Sequence, residues 1–257
     1  MCSKKNLINL CDLPWPGTAA GSARYIYFIA APPGRGESSV NKKISITIDG
    51  KRIEAQEGEK LLWVALDHGI YIPNLCALRE REAPAASCRL CFVEVKGKPG
   101  PVMACAEMAL EGMEVETSTP EVSRLRKSAA ELIIASHPAD CPGCGKNRNC
   151  ELQRIARHLR LKLRPRRLRS LVYDLPADTS HPALFFDPNK CLLCGRCVWV
   201  CRERSKCGVL HFTRRGFETR VSTFMDVPLS ETPCTGCLEC VRACPVGALA
   251  EKKGKKE

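Results

Sequence analysis

Apolar and polar residues alternate from Ile44 to Ile48, with Ser45 and Thr47 between the isoleucines, which predicts a strand with one face in a core. Asp49-Gly50 then reads as a two-residue hairpin turn and Arg52-Ile53-Glu54-Ala55 as the return strand. The period lengthens after that. Leu61, Leu62, Ala65 and Leu66 share one face of a short helix, with Gly69 placed to end it. Cys91–Val95 and Met113–Thr117 read as further strands, separated by a Gly-Lys-Pro-Gly turn. Two hairpin-like strand pairs around one helix make a small α+β domain over 42–118.

Thr119-Pro120-Glu121 has the marks of a helix start: a hydroxyl cap, proline in the first turn and an acid beside it. Val122, Leu125, Ala129, Leu132 and Ile133 are the expected apolar stripe, and Pro138 the stop. A second helix is expected from about Cys150, with Leu152, Ile155, Ala156, Leu159 and Leu163 on one side and Pro165 at its end. These helices define a unit over 119–165. A linker over 166–185 leads to 186–250, where two similar cysteine blocks mark an internal duplication. Residues 1–41 lack a sustained period and read as an irregular extension, and 251–257 as a solvated basic tail.

Composition changes the picture at one point. The chain has 257 residues, a formal charge of +12, and 18 cysteines. It is far longer than the small secreted domains that need dense disulfides, so thiols in a reducing compartment, grouped to bind metal, are the expectation. No run approaches the ~18 to 20 apolar residues of a membrane span. Lys4 and Lys5 open no signal peptide, because Asp12, two prolines and Arg24 interrupt the stretch after them. The cytoplasm is the expected location.

Four groups take up all the cysteines but Cys2, Cys11 and Cys207, which read as ordinary free thiols. In Cys191-x2-Cys194-x2-Cys197-x3-Cys201 and Cys234-x2-Cys237-x2-Cys240-x3-Cys244-Pro245, each tight triplet converges three sulfurs on one centre. This is the bacterial two-cluster ferredoxin run, in which the fourth cysteine serves the other cluster. One [4Fe–4S] cluster is therefore expected on Cys191, Cys194, Cys197 and Cys244, and another on Cys234, Cys237, Cys240 and Cys201. Structural zinc prefers two pairs of ligands and fits these triplets poorly. Cys76, Cys88, Cys91 and Cys105 suit a [2Fe–2S] centre or a four-cysteine zinc site. His137, Cys141, Cys144 and Cys150 suit zinc or a cluster with one imidazole ligand, and the neighbouring cubane motifs favour the cluster. His68, His158, His181 and His211 stand outside any cysteine register and read as ordinary surface or core residues.

The order of these groups resembles the iron–sulfur subunit shared by NAD-linked hydrogenases and formate dehydrogenases, and the N-terminal part of the large iron–sulfur subunit of respiratory complex I. The likeness covers about 43–250. It is carried by Ile72-Pro73-Asn74-Leu75-Cys76, Ser87-Cys88-Arg89-Leu90-Cys91-Phe92-Val93-Glu94-Val95, His137-Pro138-Ala139-Asp140-Cys141 and Asp187-Pro188-Asn189-Lys190-Cys191. The resemblance implies a β-grasp [2Fe–2S] domain, a small helical domain with a [4Fe–4S] cluster on His137, Cys141, Cys144 and Cys150, and a two-[4Fe–4S] ferredoxin domain. It is nearest to the short chain of electron-bifurcating or bidirectional hydrogenases. Such a chain works beside a flavin subunit that binds FMN and NAD(P) and a separate catalytic subunit, a hydrogenase or, as the alternative, a formate dehydrogenase. An external ferredoxin is a further partner the family allows. Single-chain iron-only hydrogenases continue beyond these modules, and this sequence stops at Glu257 without a G-x-G-x-x-G dinucleotide fingerprint, so catalysis is expected on another subunit.

One two-iron and three four-iron clusters hold about fourteen iron atoms. In a compact chain of this length, with a radius of gyration of about 18 Å, four centres lie on the order of 20 Å apart, close enough to conduct. Cluster charge lowers the total to about +5, and the basic residues that remain favour reduced clusters. Residues 154–169 carry eight Lys or Arg and no acid (Arg154, Arg157, Arg160, Lys162, Arg164, Arg166, Arg167, Arg169). They have no interleaved aromatics, so a solvated face or an acidic protein partner outweighs nucleic acid. The reading from another class is a zinc- or cluster-stabilised nucleic-acid-binding module.

Overall fold

A computed structural model describes residues 42–164 and 167–252. The readings placed on 1–41, with Cys2 and Cys11, on Pro165 and Arg166, and on the tail past 252 lie outside the described residues.

Strands β1 (Lys43–Ile48) and β2 (Lys51–Gln56) form the expected hairpin, with Ile46 opposite Ile53. Helix α1 (Leu61–Asp67) follows, then β3 (Phe92–Val95), β4 (Val102–Met103) and β5 (Glu114–Glu116). The sheet order is β2-β1-β5-β3-β4. The β1–β5 pairing is parallel, which the hairpin-like reading did not foresee; it needs the helix and cysteine loops as a crossover. Ile44, Ile46 and Ile48 are at most 3% exposed. Burying each is worth about 1.5–3 kcal/mol, and a one-residue slip would turn all of them outward, so the register is fixed.

Helix α2 (Pro120–Ala135) starts where expected, its Thr119 hydroxyl accepting the Val122 N–H at 3.2 Å. Its buried line, however, is Val122, Arg126, Ala130 and Ile134, a row at spacing four, with Leu125, Ala129 and Ile133 only half-buried. Leu132 is 62% exposed, correcting the expected stripe. The displacement follows from Arg126, whose guanidinium turns inward and donates from Nε to the Phe92 carbonyl at 3.0 Å. Helix α3 (Glu151–His158) ends well before Pro165, with Leu159 as its cap and Arg160 in the left-handed region at φ 56°. Leu161 and Leu163 still pack on the core, but from irregular chain.

In the C-terminal part, β6 (Leu184–Phe186) leads to α4 (Arg196–Glu203), β7 (His211–Thr213), β8 (Arg220–Ser222), α5 (Glu239–Ala243) and β9 (Leu249–Glu251). The first and last of these strands pair antiparallel, Phe186 opposite Leu249, and so close the duplicated unit on itself. The β7–β8 hairpin lies between the two cysteine blocks. One hydrophobic core fills the sheet domain. A second takes Leu75 and Leu90 from the first cysteine loops, Ile134 from α2, Leu152 and Ile155 from α3, and Leu184 and Leu249 from the last unit.

Candidate metal centres

All sixteen cysteines among the described residues are free of disulfides, and fifteen of them fall in the four expected groups. In the first group the sulfurs stand in two pairs. Cys76 and Cys88 lie with Sγ atoms 3.4 Å apart, and the Cys91 thiol bonds to that of Cys105. The Cys88 bond holds the Cys76 thiol down at about 5 against the opposing effect of burial, and the Cys91 bond likewise lowers Cys105. The same thiol–thiol pairing, together with burial, pushes Cys88 and Cys91 up. A left-handed residue, Arg89 at φ 53°, makes the turn that brings Cys88 and Cys91 to one side. The pair-wise arrangement suits two adjacent irons, each needing two thiolates.

His137 leaves the end of α2 through its N–H bond to the Ile134 carbonyl. Burial lowers its imidazole pKa, while a hydrogen bond to the Lys190 backbone holds the ring. Its Nδ1 is buried with no hydrogen-bond partner. An unspent lone pair on a held imidazole is what a metal-ligating histidine presents. Cys150 caps α3, where the Gln153 and Leu152 N–H groups face its sulfur and burial raises its thiol pKa. Cys141 and Cys144 act electrostatically on that thiol. Sequence reasoning missed Gly247. A Cβ placed there would sit 2.3 Å from Cys144 Sγ, so the C-terminal chain runs hard against this site.

The duplicated blocks share one backbone design. Leu193 and Gly195 take φ values of 52° and 72°, and the equivalent Gly236 and Leu238 take 67° and 60°. In both blocks the N–H two residues on meets a cysteine sulfur: Leu193 to Cys191, Arg196 to Cys194, Gly236 to Cys234 and Glu239 to Cys237. Inward-turned N–H groups favour the charged thiolate. Cys191, Cys194, Cys197 and Cys244 line one cavity with Phe186 and Val246. Cys201, Cys234, Cys237 and Cys240 line another with Leu184, Leu229 and Leu249. Burial pushes Cys191 up to about 11, and Cys194 and Cys240 up to about 12, so iron loading must release protons. Burial also opposes ionisation of Cys237, but the Ser205 hydroxyl at 3.1 Å, with Glu239 N–H and Thr235, takes its thiol below the ordinary value. Cys207, left outside every group by its spacing, lines the second cavity as well.

The remaining histidines play other parts. His181 is buried, its Nδ1 accepting the Ala183 N–H at 3.1 Å, and His158 packs edge-on against Tyr71. Two residues of the basic stretch are engaged within the chain. Arg154 lies 4.2 Å over the Tyr71 ring and near Glu151, and Arg167 pairs with Glu131. Among the described residues no helix is long and apolar enough to cross a membrane.

Comparisons with known proteins match three stretches of the chain. Residues 41–120 match the 2Fe-2S iron-sulfur cluster binding domain, 126–164 the NADH-ubiquinone oxidoreductase-G iron-sulfur binding region, and 184–204 with 227–250 the 4Fe-4S binding domain. The NADP-reducing hydrogenase subunit HndD of Solidesulfovibrio fructosivorans is 36% identical over 218 residues, covering 81% of this chain and 36% of that one. The chain thus spans about a third of that relative. The NAD-reducing hydrogenase HoxS subunit gamma of Cupriavidus necator is 32% identical over 215 residues, covering 82% of this chain and 88% of its own. A crystal structure of an NAD+-reducing [NiFe]-hydrogenase in the H2-reduced state superimposes with a TM-score of 0.74 at 32% identity, over 82% of this chain and 88% of that chain.

Proposed function

From the premise that this chain belongs to the family of iron–sulfur subunits of NAD(P)-reducing hydrogenases, related to the N-terminal modules of the complex I 75/78 kDa subunit, we propose that it carries electrons through four clusters between two partner subunits. One partner binds flavin and NAD(P), and the other reduces or oxidises hydrogen. The cytoplasm is the compartment we assign.

We assign a β-grasp [2Fe–2S] domain to 42–118, a helical cluster domain to 119–165 and a two-cluster ferredoxin domain to 186–250. The [2Fe–2S] ligands are Cys76, Cys88, Cys91 and Cys105. The [4Fe–4S] sets are His137 with Cys141, Cys144 and Cys150; Cys191, Cys194 and Cys197 with Cys244; and Cys234, Cys237 and Cys240 with Cys201. The observation that carries this reading is the pair of apolar cavities, each lined by three cysteines of one repeat and the fourth of the other. Such sharing ties the two sites together through α4 and α5, the helices on which Cys201 and Cys240 stand.

A bound cluster supplies one-electron exchange with little structural change. The chain's residues set the conditions for it. Leucines exclude water from the cavities, N–H groups and the Ser205 hydroxyl stabilise sulfur charge, and the His137 ring offers a neutral ligand where the other sets offer thiolates.

Anaerobically purified chain should hold about fourteen iron and no zinc, with four reduced-cluster signals in low-temperature EPR. Two or more zinc per chain, or a colourless chain that still supports transfer, would overturn the reading.

A further inference from the structure

A [4Fe–4S] core has four corners, and each takes one ligand from the protein. In the second ferredoxin cavity the tight Cys234–Cys240 turn serves three of them. Five thiols nevertheless line that cavity: Cys201, Cys207, Cys234, Cys237 and Cys240.

The fifth thiol is brought there by a built turn. After α4 the Cys201 carbonyl accepts both the Cys207 N–H at 3.1 Å and the Gly208 N–H at 3.0 Å. Lys206 adopts φ 55° to allow it, which folds the chain back over Cys201. Arg204 holds the start of the turn by pairing with Glu239 at 3.0 Å and with Glu80 at 2.6 Å. Ser205 and Cys207 then face the loop of the opposite repeat. The Ser205 hydroxyl meets Cys237 Sγ at 3.1 Å, and Cys207 Sγ lies 3.5 Å from Thr235 Oγ1, inside the Cys234–Cys237 loop. The turn therefore folds the Cys207 backbone onto Cys201 and sets its thiol in the wall of the same cavity, where it donates to the Ser205 carbonyl at 3.4 Å.

We propose that Cys207 is a reserve ligand of this cluster, able to bind iron at the corner that Cys201 serves. This rests on the ligand assignment above. When Cys207 takes the corner, the iron's bond to Cys201 Sγ breaks and one to Cys207 Sγ forms, and the Cys207 thiol proton passes to the freed Cys201 thiolate. No electron is transferred, and the cluster keeps four thiolates. Loss of Cys201 to oxidation or alkylation would then leave the conducting chain unbroken.

The test compares full-length wild type, Cys201→Ala, Cys207→Ala and Cys201→Ala/Cys207→Ala, purified anaerobically, for iron per chain and low-temperature EPR. Both single variants should keep wild-type iron, with one altered cluster signal in Cys201→Ala. The double variant should lose about four iron and one signal. Cys201→Ala losing as much iron as the double variant overturns the proposal, and so does a double variant that loses none. Should Cys201→Ala not fold, Cys201→Ser is compared with wild type by anaerobic iodoacetamide labelling and mass spectrometry. Cys207 should be labelled in wild type and protected in Cys201→Ser; equal labelling in the two overturns the proposal. Wild-type chain that itself lacks this cluster's iron signals failure of the ligand assignment, a different result from any of these.

Discussion

Replacing Gly247 with alanine tests whether Cys144 is tethered to a cluster. The added methyl would stand 2.3 Å from Cys144 Sγ, whereas non-bonded contact is about 3.5–4.0 Å, so about 1.5 Å of overlap must be relieved. In an iron-free chain the sulfur can swing aside by changing its rotamer, at about 0.5–1.5 kcal/mol. In the loaded chain an iron–sulfur bond forbids that movement, and the strain passes to the backbone of 245–248. That backbone is pinned on both sides, the Pro245 carbonyl accepting Glu151 N–H at 3.0 Å and the Ala248 carbonyl accepting Asp187 N–H at 2.7 Å. Breaking one such bond costs about 1–3 kcal/mol, and overpacking adds a similar amount.

The loaded variant should therefore be less stable by about 2–4 kcal/mol, a fall in Tm of about 5–15 °C for a chain of this size, or it should lose the cluster and about four iron. The iron-free forms should differ by no more than about 1.5 kcal/mol. Thermal melts of loaded and iron-free protein, with iron analysis and EPR, read both quantities. Gly145→Ala is the control, since it lies in the same cysteine loop and a Cβ there meets no atom within 4 Å. A Gly247→Ala chain with wild-type iron, unchanged spectra and a Tm within about 2 °C of the control would refute the reasoning.

Arg126→Met removes a guanidinium that is 3% exposed and whose pKa burial lowers to about 10 from 12.5, a penalty on the order of 3 kcal/mol. Lost bonds to the Phe92 carbonyl cost about as much, so stability in urea should move by less than about 1 kcal/mol. The loss of a cation facing Cys91 should lower the [2Fe–2S] potential on the order of 60 mV in an EPR-monitored titration, and an unchanged or higher potential counts against it. Tyr71 donates to Glu151 at 2.9 Å, and burial, then that carboxylate, raises its pKa above the unfolded value of 10.0. Its contribution is thus full below pH 10 and lost as pH rises beyond. Urea unfolding at pH 8 and pH 11 should show a smaller fall for Tyr71→Phe than for wild type. Leu132→Asp should be neutral within about 0.5 kcal/mol, and Ala130→Asp should cost several, as melts will show if the buried row is the one at spacing four.

How far the sequence disclosed this arrangement depended on the range of the interaction concerned. The β1–β2 hairpin, the capped start of α2 and the cysteine turns are set by neighbours within a few residues, and all were readable. The parallel β1–β5 pairing joins segments more than sixty residues apart, and no local pattern announces it. The phase of α2 was misread because hydrophobicity alone gives Leu132 to the core and Arg126 to water. Only the position of the Phe92 carbonyl, on another element, reverses that. Gly247 and Cys207 carry no signal in their own surroundings, since each matters through a sulfur brought to it by the fold. A thiol beyond the expected ligands, six residues after Cys201, was the one available hint.

The two hydrophobic cores differ in a way that bears on conduction. The sheet core is built mainly from aliphatic residues such as Ile46, Ile48, Leu61 and Leu62, and it also holds Cys91 and Cys105, two of the thiols assigned to the two-iron centre. The other core is built from Leu75, Ile134, Leu152, Leu184 and Leu249 together with Cys197, Cys201, Cys240 and Cys244, the thiols assigned to the ferredoxin clusters. Burial raises the thiol pKa of Cys197 and Cys240, and stripping the clusters would leave apolar cavities within the packing that joins three cysteine-bearing regions. Cluster binding and the spacing of the sites are therefore linked in this half of the chain. Electron transfer over such distances depends steeply on separation, so a core that sets when the clusters are in place fixes the separation at the same moment.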